Sequence, residues 1–380
     1  MMRAVSEHPK TFDPDASAVL TIDLGAIVAN WRELARRAAP AQCAAVVKAD
    51  GYGCGLEPVT SALAEAGCEI FFVAHLAEGR RARAAAARAT IYVLNGMLPG
   101  TASAYVGCNL HPIIGSLAEF AEWKAFVSST AWHGGAALHV DTGMNRLGMS
   151  FEEAAWLSQQ PQEERGELVL LMSHLACAEA PEHPLNGRQM AAFRELRSLF
   201  PGVPASLANS SGIFLGPDAH HDLVRPGVAL YGANPTPLHL NPMQPAVHLA
   251  ARVIQVRSVG AGETVGYGAT WTAKRPARIA IVSAGYGDGL LRAASARDDK
   301  PGAEAIVAGH CCPLAGLISM DLLAVDVSHL PEDQPKRGDF VTLLGEDMGI
   351  DEFASHAGTI PYEVLTSLGR RYHRVYKDAA

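Results

Sequence analysis

The sequence predicts an α/β protein: an N-terminal (β/α)8 barrel of TIM type followed by a C-terminal, mainly-β domain. Three observations carry this. Short apolar runs alternate with helix-period segments about eight times over roughly 220 residues, the length of such a barrel. No Gly-x-Gly-x-x-Gly opens the first helix, which disfavours a doubly wound open sheet. After the proline-rich stretch "GANPTPLHLNPMQPAV" (232–247), runs of period two take over. The expected boundaries are a polar arm over 1–16, the barrel over 17–245 and the β-domain over 246–380.

Element by element, "AVLTIDL" (18–24) reads as the first strand. "GAIVANWRELARRAA" (25–39) follows as a helix, with Ile27, Val28, Trp31, Leu34 and Ala35 on one face. "AVVKADGYGCG" (45–55) starts as a second strand and meets Lys48 where the apolar run stops. A helix around 58–67, a strand "EIFFVA" (69–74) and a helix "LAEGRRARAAAARA" come next. Then come "TIYVLNG" (90–96), the helix "SLAEFAEWKAFVSS", and the strand "AALHVDTG" (136–143). The helix "FEEAAWLSQQ", the strand "LVLLMSHLA" (168–176) and a helix near 186–199 lead to "PASLANSSG" and "DLVRPGVALYG". Beyond the linker, "ARVIQVRSV", "ARIAIVSA", "EAIVAG", "LLAVDVS" and "DFVTLLG" read as antiparallel strands. "MGIDEFASHAG" is a late helix.

Bulk properties narrow the function classes. The chain has 380 residues, 49% hydrophobic and 18% charged, with a formal charge of −8. That is an ordinary globular composition, and the acidic balance argues against nucleic acid or an anionic membrane as partner. The seven cysteines are odd in number and form no Cys-x-x-Cys pair, which fits reduced thiols in the cytoplasm. No Cys/His group has zinc-ligand spacing, so no metal is expected. The N-terminus lacks the apolar region of a secretory signal, and no stretch approaches a membrane span.

In a barrel, side chains at the C-terminal ends of strands face the active site. Lys48, His139, Asp141, Arg146, His174, Asn209, Ser210 and Arg225 all fall at such ends. For Lys48 two readings stay open: a snorkelling rim lysine, or a partly desolvated amine that attacks an aldehyde. Gly51, Gly53 and Gly55 serve either a tight turn or close approach of backbone to a cofactor. Ser210 and the backbone at Gly227 and Val228 are phosphate candidates. "GYGDG" (285–289) reads as a hairpin turn, and "DAHHD" (218–222) as solvated loop histidines. Pro226 biases Arg225 to an extended conformation and aims it.

These motifs resemble the alanine racemases that carry pyridoxal phosphate (PLP). "AVVKADGYGCG" is similar to that family's signature. "HVDTGMNRLG", "SHLA", "LANSSG", "RPGVALYG", "VGYGATW", "GLISMDLLAVDV" and "IPYEVLTSLGRRYHRVY" follow in the family's order across nearly the whole chain. The resemblance implies a barrel plus β-domain, and a head-to-tail homodimer whose active sites are shared. It implies that Lys48 carries PLP and is one base, and that Tyr267 of the partner subunit is the other. Arg225 would meet the pyridine nitrogen, and His174 would link Arg225 toward Tyr267. Tyr52, Ser210, Gly227, Val228 and Tyr362 would hold the phosphate, with Asn209 nearby. Arg146 would contact the cofactor's phenolic oxygen and the substrate carboxylate. The Met320 N–H would also meet that carboxylate, with Asp321 beside it and Tyr286 at the entrance.

Two positions depart from the family pattern. Cys54 stands where a histidine is usual. His139 stands where many members have a carbamylated lysine that braces the arginine matching Arg146. Histidine forms no stable carbamate, so a bound anion such as chloride, or a neutral imidazole, has to substitute. The reading is an L-alanine/D-alanine racemase, feeding peptidoglycan or serving alanine breakdown. The alternatives are a racemase of broader specificity such as serine, a related PLP barrel decarboxylase, and a PLP-binding regulatory protein.

Overall fold

The computed structural model describes residues 14–378 apart from 131 and 133. Most of the arm expected over 1–16 lies outside the described residues. The chain divides into two compact units. One is Ile27–Gln244; the other joins the chain up to Ala26 with Pro245 onward. Strand β1 (Ala18–Asp23) belongs to the second unit.

The first unit is built on parallel strands. They are β2 (Gln42–Cys43), β3 (Ala45–Val46), β4 (Ile70–Val73), β5 (Thr90–Val93), β6 (His111–Ile114), β7 (Ala136–His139), β8 (Leu168–Met172), β9 (Ala205–Ser206) and β10 (Leu223–Val224). β3 to β9 form one seven-stranded sheet in sequence order, every neighbouring pair parallel. β10 pairs with β2, which continues into β3 past Ala44. β10 also bonds the other end of the path, because the Asp222 and Arg225 N–H groups donate to the Ala205 and Ala208 carbonyls. The ring therefore closes as a barrel. Apart from β2, its strands are mostly apolar and largely buried, as parallel strands covered on both faces must be. Helices such as Leu56–Glu65, Leu76–Ala85, Leu117–Ser128 and Pro184–Ser198 alternate with them.

β6 is a strand that the sequence reading passed over. Pro112 sits inside "HPII", and a proline normally demotes a run from strand status. Here Pro112 is only the register partner of Val93 at the end of the β5 pairing, so its missing N–H costs little.

The second unit holds β1 with β11 (Val247–Val259), β12 (Ala277–Val282), β13 (Glu304–Val307), β14 (His310–Pro313), β15 (Leu323–Asp326), β16 (Phe340–Leu344) and β17 (His373–Lys377). "AVLTIDL" is thus not the first barrel strand. β1 pairs antiparallel with β11 and parallel with β17, inside an eight-stranded sheet. The remaining pairs are antiparallel. Two helices, Ile350–Ala357 and Pro361–Ser367, precede β17, and only the former was expected. "GYGDG" is not a hairpin either. It forms a 3-10 turn at Tyr286–Asp288, and β12 pairs with β11 and β15.

Candidate active site

Lys48 follows directly on β3 and is half-buried. The chain after it takes an unusual path. Ala49, Asp50, Gly51, Tyr52 and Gly53 all have positive φ, between 51° and 77°, making a left-handed turn. Each non-glycine residue there costs about 1–2 kcal/mol. Backbone bonds from Gly51 to Val47 O, Gly53 to Ala49 O and Gly55 to Asp50 O hold it. The Asp50 carboxylate ties it outward, accepting from the Leu56 N–H and pairing with Arg81 at 2.6 Å. This path carries the Tyr52 ring inward, where it stacks on Tyr231 with centroids 4.7 Å apart.

The Tyr52 hydroxyl reaches Gly227. A Cβ placed on Gly227 would lie 2.3 Å from that oxygen, so only glycine fits. On the other side, Ser210 Oγ accepts from the N–H groups of Gly227 and Ala229 at 2.9 and 3.3 Å. The next hydroxyl, Ser211 Oγ, is buried without a hydrogen-bond partner. The Tyr52 and Ser210 hydroxyls thus both lie against the backbone at Gly227, a hydroxyl-and-N–H arrangement of the kind that takes an anion. The Asn209 carboxamide is used locally, accepting from the Gly212 N–H at 2.8 Å. It shapes the turn after Ser210.

Arg225 is 3% exposed and meets no carboxylate among the described residues. It donates to Ser206 Oγ at 2.5 Å, the Ser173 carbonyl at 2.6 Å and His174 Nδ1 at 3.4 Å. Burial brings its guanidinium down to about 9, so it stays charged at neutral pH. Because Nδ1 of His174 accepts, its proton sits on Nε2. Burial first, then Arg225 and Arg146, holds this imidazole neutral. Lys48 is lowered from the ordinary lysine range by burial, then by Arg146 and Arg225, against the opposing carboxylate of Glu78. A desolvated amine among cations releases its proton readily.

Arg146 rides on the loop after β7. The Asp141 carboxylate stitches this loop by accepting from the N–H groups of Gly143, Met144 and Asn145. His139 is buried and held down to about 4, chiefly by desolvation and then by Arg225. It is therefore a neutral imidazole at neutral pH, near the charges of Arg225 and Arg146.

His139 should mark the acid stability of the chain. The unfolded chain binds a proton there near pH 6.5, and the folded one only near 4. Stability is complete above pH 6.5, falls as pH drops through that window, and levels off below about 4. The loss should reach about 3 kcal/mol. Urea unfolding across pH should give a flatter curve for His139→Asn; curves of equal slope would contradict this.

The remaining predicted residues lie in the second unit. Tyr267 begins a 3-10 turn, Tyr267–Ala269, and is 73% exposed. Its flanks are firm: the Val265 N–H donates to the Trp271 carbonyl, and both side chains pack on the core of Val259, Ala273, Ile279 and Ala315. Met320 and Tyr286 form one exposed group. The N–H groups of Tyr286 and Gly287 donate to the Ser319 and Met320 carbonyls. Arg371 fixes this group by pairing with both Asp288 and Asp321. Tyr362 is half-buried in the helix Pro361–Ser367.

The sequence reading missed several contributors. Ser173 and Ser206 accept from Arg225, Tyr231 supports Tyr52, and Arg371 clamps Asp288 and Asp321. None carried a signal in spacing, because each acts through a neighbour far away in sequence. The two histidines of "DAHHD" are not solvated. His220 is buried against the Ile213 carbonyl, and His221 packs edge-on to Phe193. Neither joins the Lys48 cluster.

Comparison with known proteins places this geometry. The family model "Alanine racemase, N-terminal domain" matches residues 22–235, and "Alanine racemase, C-terminal domain" matches 246–376. An alanine racemase of Methylobacterium nodulans is 52% identical over 379 residues, covering 100% of this chain and 99% of that protein. A catabolic alanine racemase of Mesorhizobium japonicum is 47% identical, covering 95% and 93%. The crystal structure of alanine racemase from Bartonella henselae with covalently bound pyridoxal phosphate superposes with a TM-score of 0.89. It is 39% identical, covering 95% of this chain and 100% of that one. With both units matched in order and about half of the residues shared along the full length, the chain belongs to the alanine racemase family.

Proposed function

We propose that this protein interconverts L- and D-alanine with pyridoxal phosphate carried on Lys48, and that it works as a homodimer with shared active sites. The observation that carries the reading is the setting of Lys48: a desolvated amine flanked by Arg146 and Arg225, beside a hydroxyl-and-N–H anion cradle. The residues fit the cofactor. Tyr52, Ser210, Gly227 and Val228, with Tyr362 and nearby Asn209, would hold its phosphate, and Arg225 would meet its ring nitrogen. When bound, PLP supplies the electron sink that acidifies the substrate Cα–H.

The chain's own residues do the rest. Arg146 and the Met320 N–H orient the substrate carboxylate, which leaves one hydrogen position on each side of Cα. Among the described residues the Met320 N–H finds no acceptor, so it is available for this. Lys48 moves the proton on one face. Tyr267 of the partner subunit moves it on the other, since one base fixed on one side cannot serve both faces. His174 donates from Nε2 and relays the Arg225 charge toward that tyrosine. Tyr286 and Asp321 shape the entrance. Arg225 keeps its proton, so it cannot protonate the ring nitrogen as a carboxylic acid would.

Two family-level alternatives fit less well. A regulatory PLP protein is usually a barrel alone, and a decarboxylase would not need Tyr267 in "VGYGATW". Seven free cysteines support a reducing compartment, and we assign the protein to the cytoplasm. Among the described residues no helix is long and apolar enough to cross a membrane, and no cluster could hold a metal.

The test is to incubate the purified chain with single enantiomers of alanine, serine and lysine and follow the chiral ratio and carbon dioxide release. Interconversion of alanine without carbon dioxide supports the reading. Release of carbon dioxide, or bound PLP with no interconversion, overturns it. Gly227→Ala probes the phosphate cradle. The new Cβ would push the Tyr52 hydroxyl away from a 2.3 Å approach. PLP affinity by absorbance titration should fall about tenfold or more, with the unfolding midpoint also lowered because the buried Tyr52 ring must shift. Unaltered affinity would remove Tyr52 from the cradle.

A further inference from the structure

Glu78 begins as an ordinary helix cap. It is the third residue of the helix Leu76–Ala85, and its Oε2 accepts from the N–H groups of Ala74 and His75 at 2.8 and 3.3 Å. That is the capping-box pattern, which uses the carboxylate on its own helix. Its second oxygen leaves the helix altogether. Oε1 accepts from the Ala49 N–H at 2.7 Å and the Asp50 N–H at 3.4 Å, nearly thirty residues earlier in the chain. Those two N–H groups are the first donors of the left-handed turn that begins at Lys48, and helix starts leave such donors unsatisfied.

We infer that Glu78 is a positioning residue for Lys48, clipping the left-handed turn after the lysine to the end of β4 so that the amine and the Tyr52 hydroxyl meet one ligand together. This rests on the role of Lys48 proposed above. The turn is a conformation that Ala49, Asp50 and Tyr52 do not favour by themselves. Glycine bends and the Asp50–Arg81 pair fix its far side. Its lysine side is held by Glu78, which accepts from the Ala49 and Asp50 N–H groups. Among the described residues Glu78 is also the carboxylate that acts on Lys48; the other groups facing it are Arg146, Arg225 and His174, from the loops after β7, β10 and β8.

The barrel supplies its own control. Glu119, on the helix Leu117–Ser128, makes the same clip between the ends of β5 and β6, accepting from the Met97 and Gly115 N–H groups at 2.9 and 2.8 Å. No lysine follows either of those strands.

In Glu78→Gln one end of the side chain becomes a donor, so one pair of N–H groups is orphaned. We expect the full-length variant to bind PLP about tenfold or more weakly by absorbance titration. The pH at which Lys48 takes up the aldehyde should move down, because the carboxylate that favours the charged amine is gone. Glu78→Asp keeps the charge on a shorter arm; it should lose affinity but hold the pH midpoint near wild type. Glu119→Gln should lower the unfolding temperature and leave both the PLP affinity and the pH midpoint unchanged. If Glu78→Gln fails to fold, the affinity and midpoint of Glu78→Asp decide the matter. Wild-type affinity in Glu78→Gln, or in Glu78→Asp where that variant decides, overturns the inference. So does an equal change in Glu119→Gln. Wild-type protein that takes up no PLP would instead sink the assignment of Lys48, before any variant is made.

Discussion

Lys48→Ala should lower alanine racemisation by a factor of about ten thousand or more, because in the proposed mechanism one side chain both anchors the cofactor and serves as a base. The loss should appear in kcat with little change in the unfolding temperature, since Lys48 is half-buried and forms no ion pair among the described residues. Lys48→Arg should fail equally, for a guanidinium neither condenses with an aldehyde nor gives up its proton. The wild-type pH profile carries the same signature. Burial, Arg146 and Arg225 lower the amine, so its proton-free form should support activity below the ordinary lysine range. An acid limb at the reference lysine value of about 10.4 would contradict the desolvated site.

The second large effect should come from Tyr267→Phe. It removes one oxygen from a side chain 73% exposed on a well-supported turn, so folding should be untouched. Loss of one acid–base group is worth about a hundred to ten thousandfold. The loss should depend on the face. In deuterium oxide, the variant should still exchange the Cα hydrogen of the enantiomer whose proton points to Lys48, and stop exchanging that of the other. Equal slowing of both enantiomers would remove Tyr267 as a base.

The two variants also test the shared site. With the proposed shared site, co-expressed Lys48→Ala and Tyr267→Phe chains should form mixed dimers in which one site draws its lysine and its tyrosine from intact copies. Random pairing should restore about a quarter of wild-type activity. If each site used the tyrosine of its own chain, no mixture would recover any.

Much of the fold was readable because barrel and β-domain have different hydrophobic periods, and the proline-rich stretch near 232–247 marks the change. β1 was misplaced for a reason inherent in local pattern. "AVLTID" is an apolar strand followed at once by a helix, which looks like a βα unit. Only pairing with β11 and β17 reveals its sheet. β6 was hidden by Pro112, whose cost vanishes only at the register it occupies.

The site shows the same division. The residues proposed to touch ligand stood out in the sequence, since reactive side chains at strand ends follow from one-dimensional order. Lys48, Arg146, His174, Ser210 and Arg225 are of this kind. Their supports did not stand out. Glu78 lay in "LAEGRRAR", part of a segment that read simply as a helix, and its local signal was a cap on its own helix. Its reach to Ala49 exists because β3 and β4 are neighbours in the ring.

The sequence by itself thus determined the family and the fold class, and it named the amine, the arginines and the hydroxyls proposed for the site. Only the tertiary structure decided how those groups are tuned. The proton affinities of Lys48, His139 and His174 follow from burial and from arginines brought close by closure of the barrel. The left-handed turn that aims Tyr52 persists because hydrogen bonds from distant segments offset its strain. Desolvation and charge proximity depend on distance in space, and a linear pattern of residues contains neither.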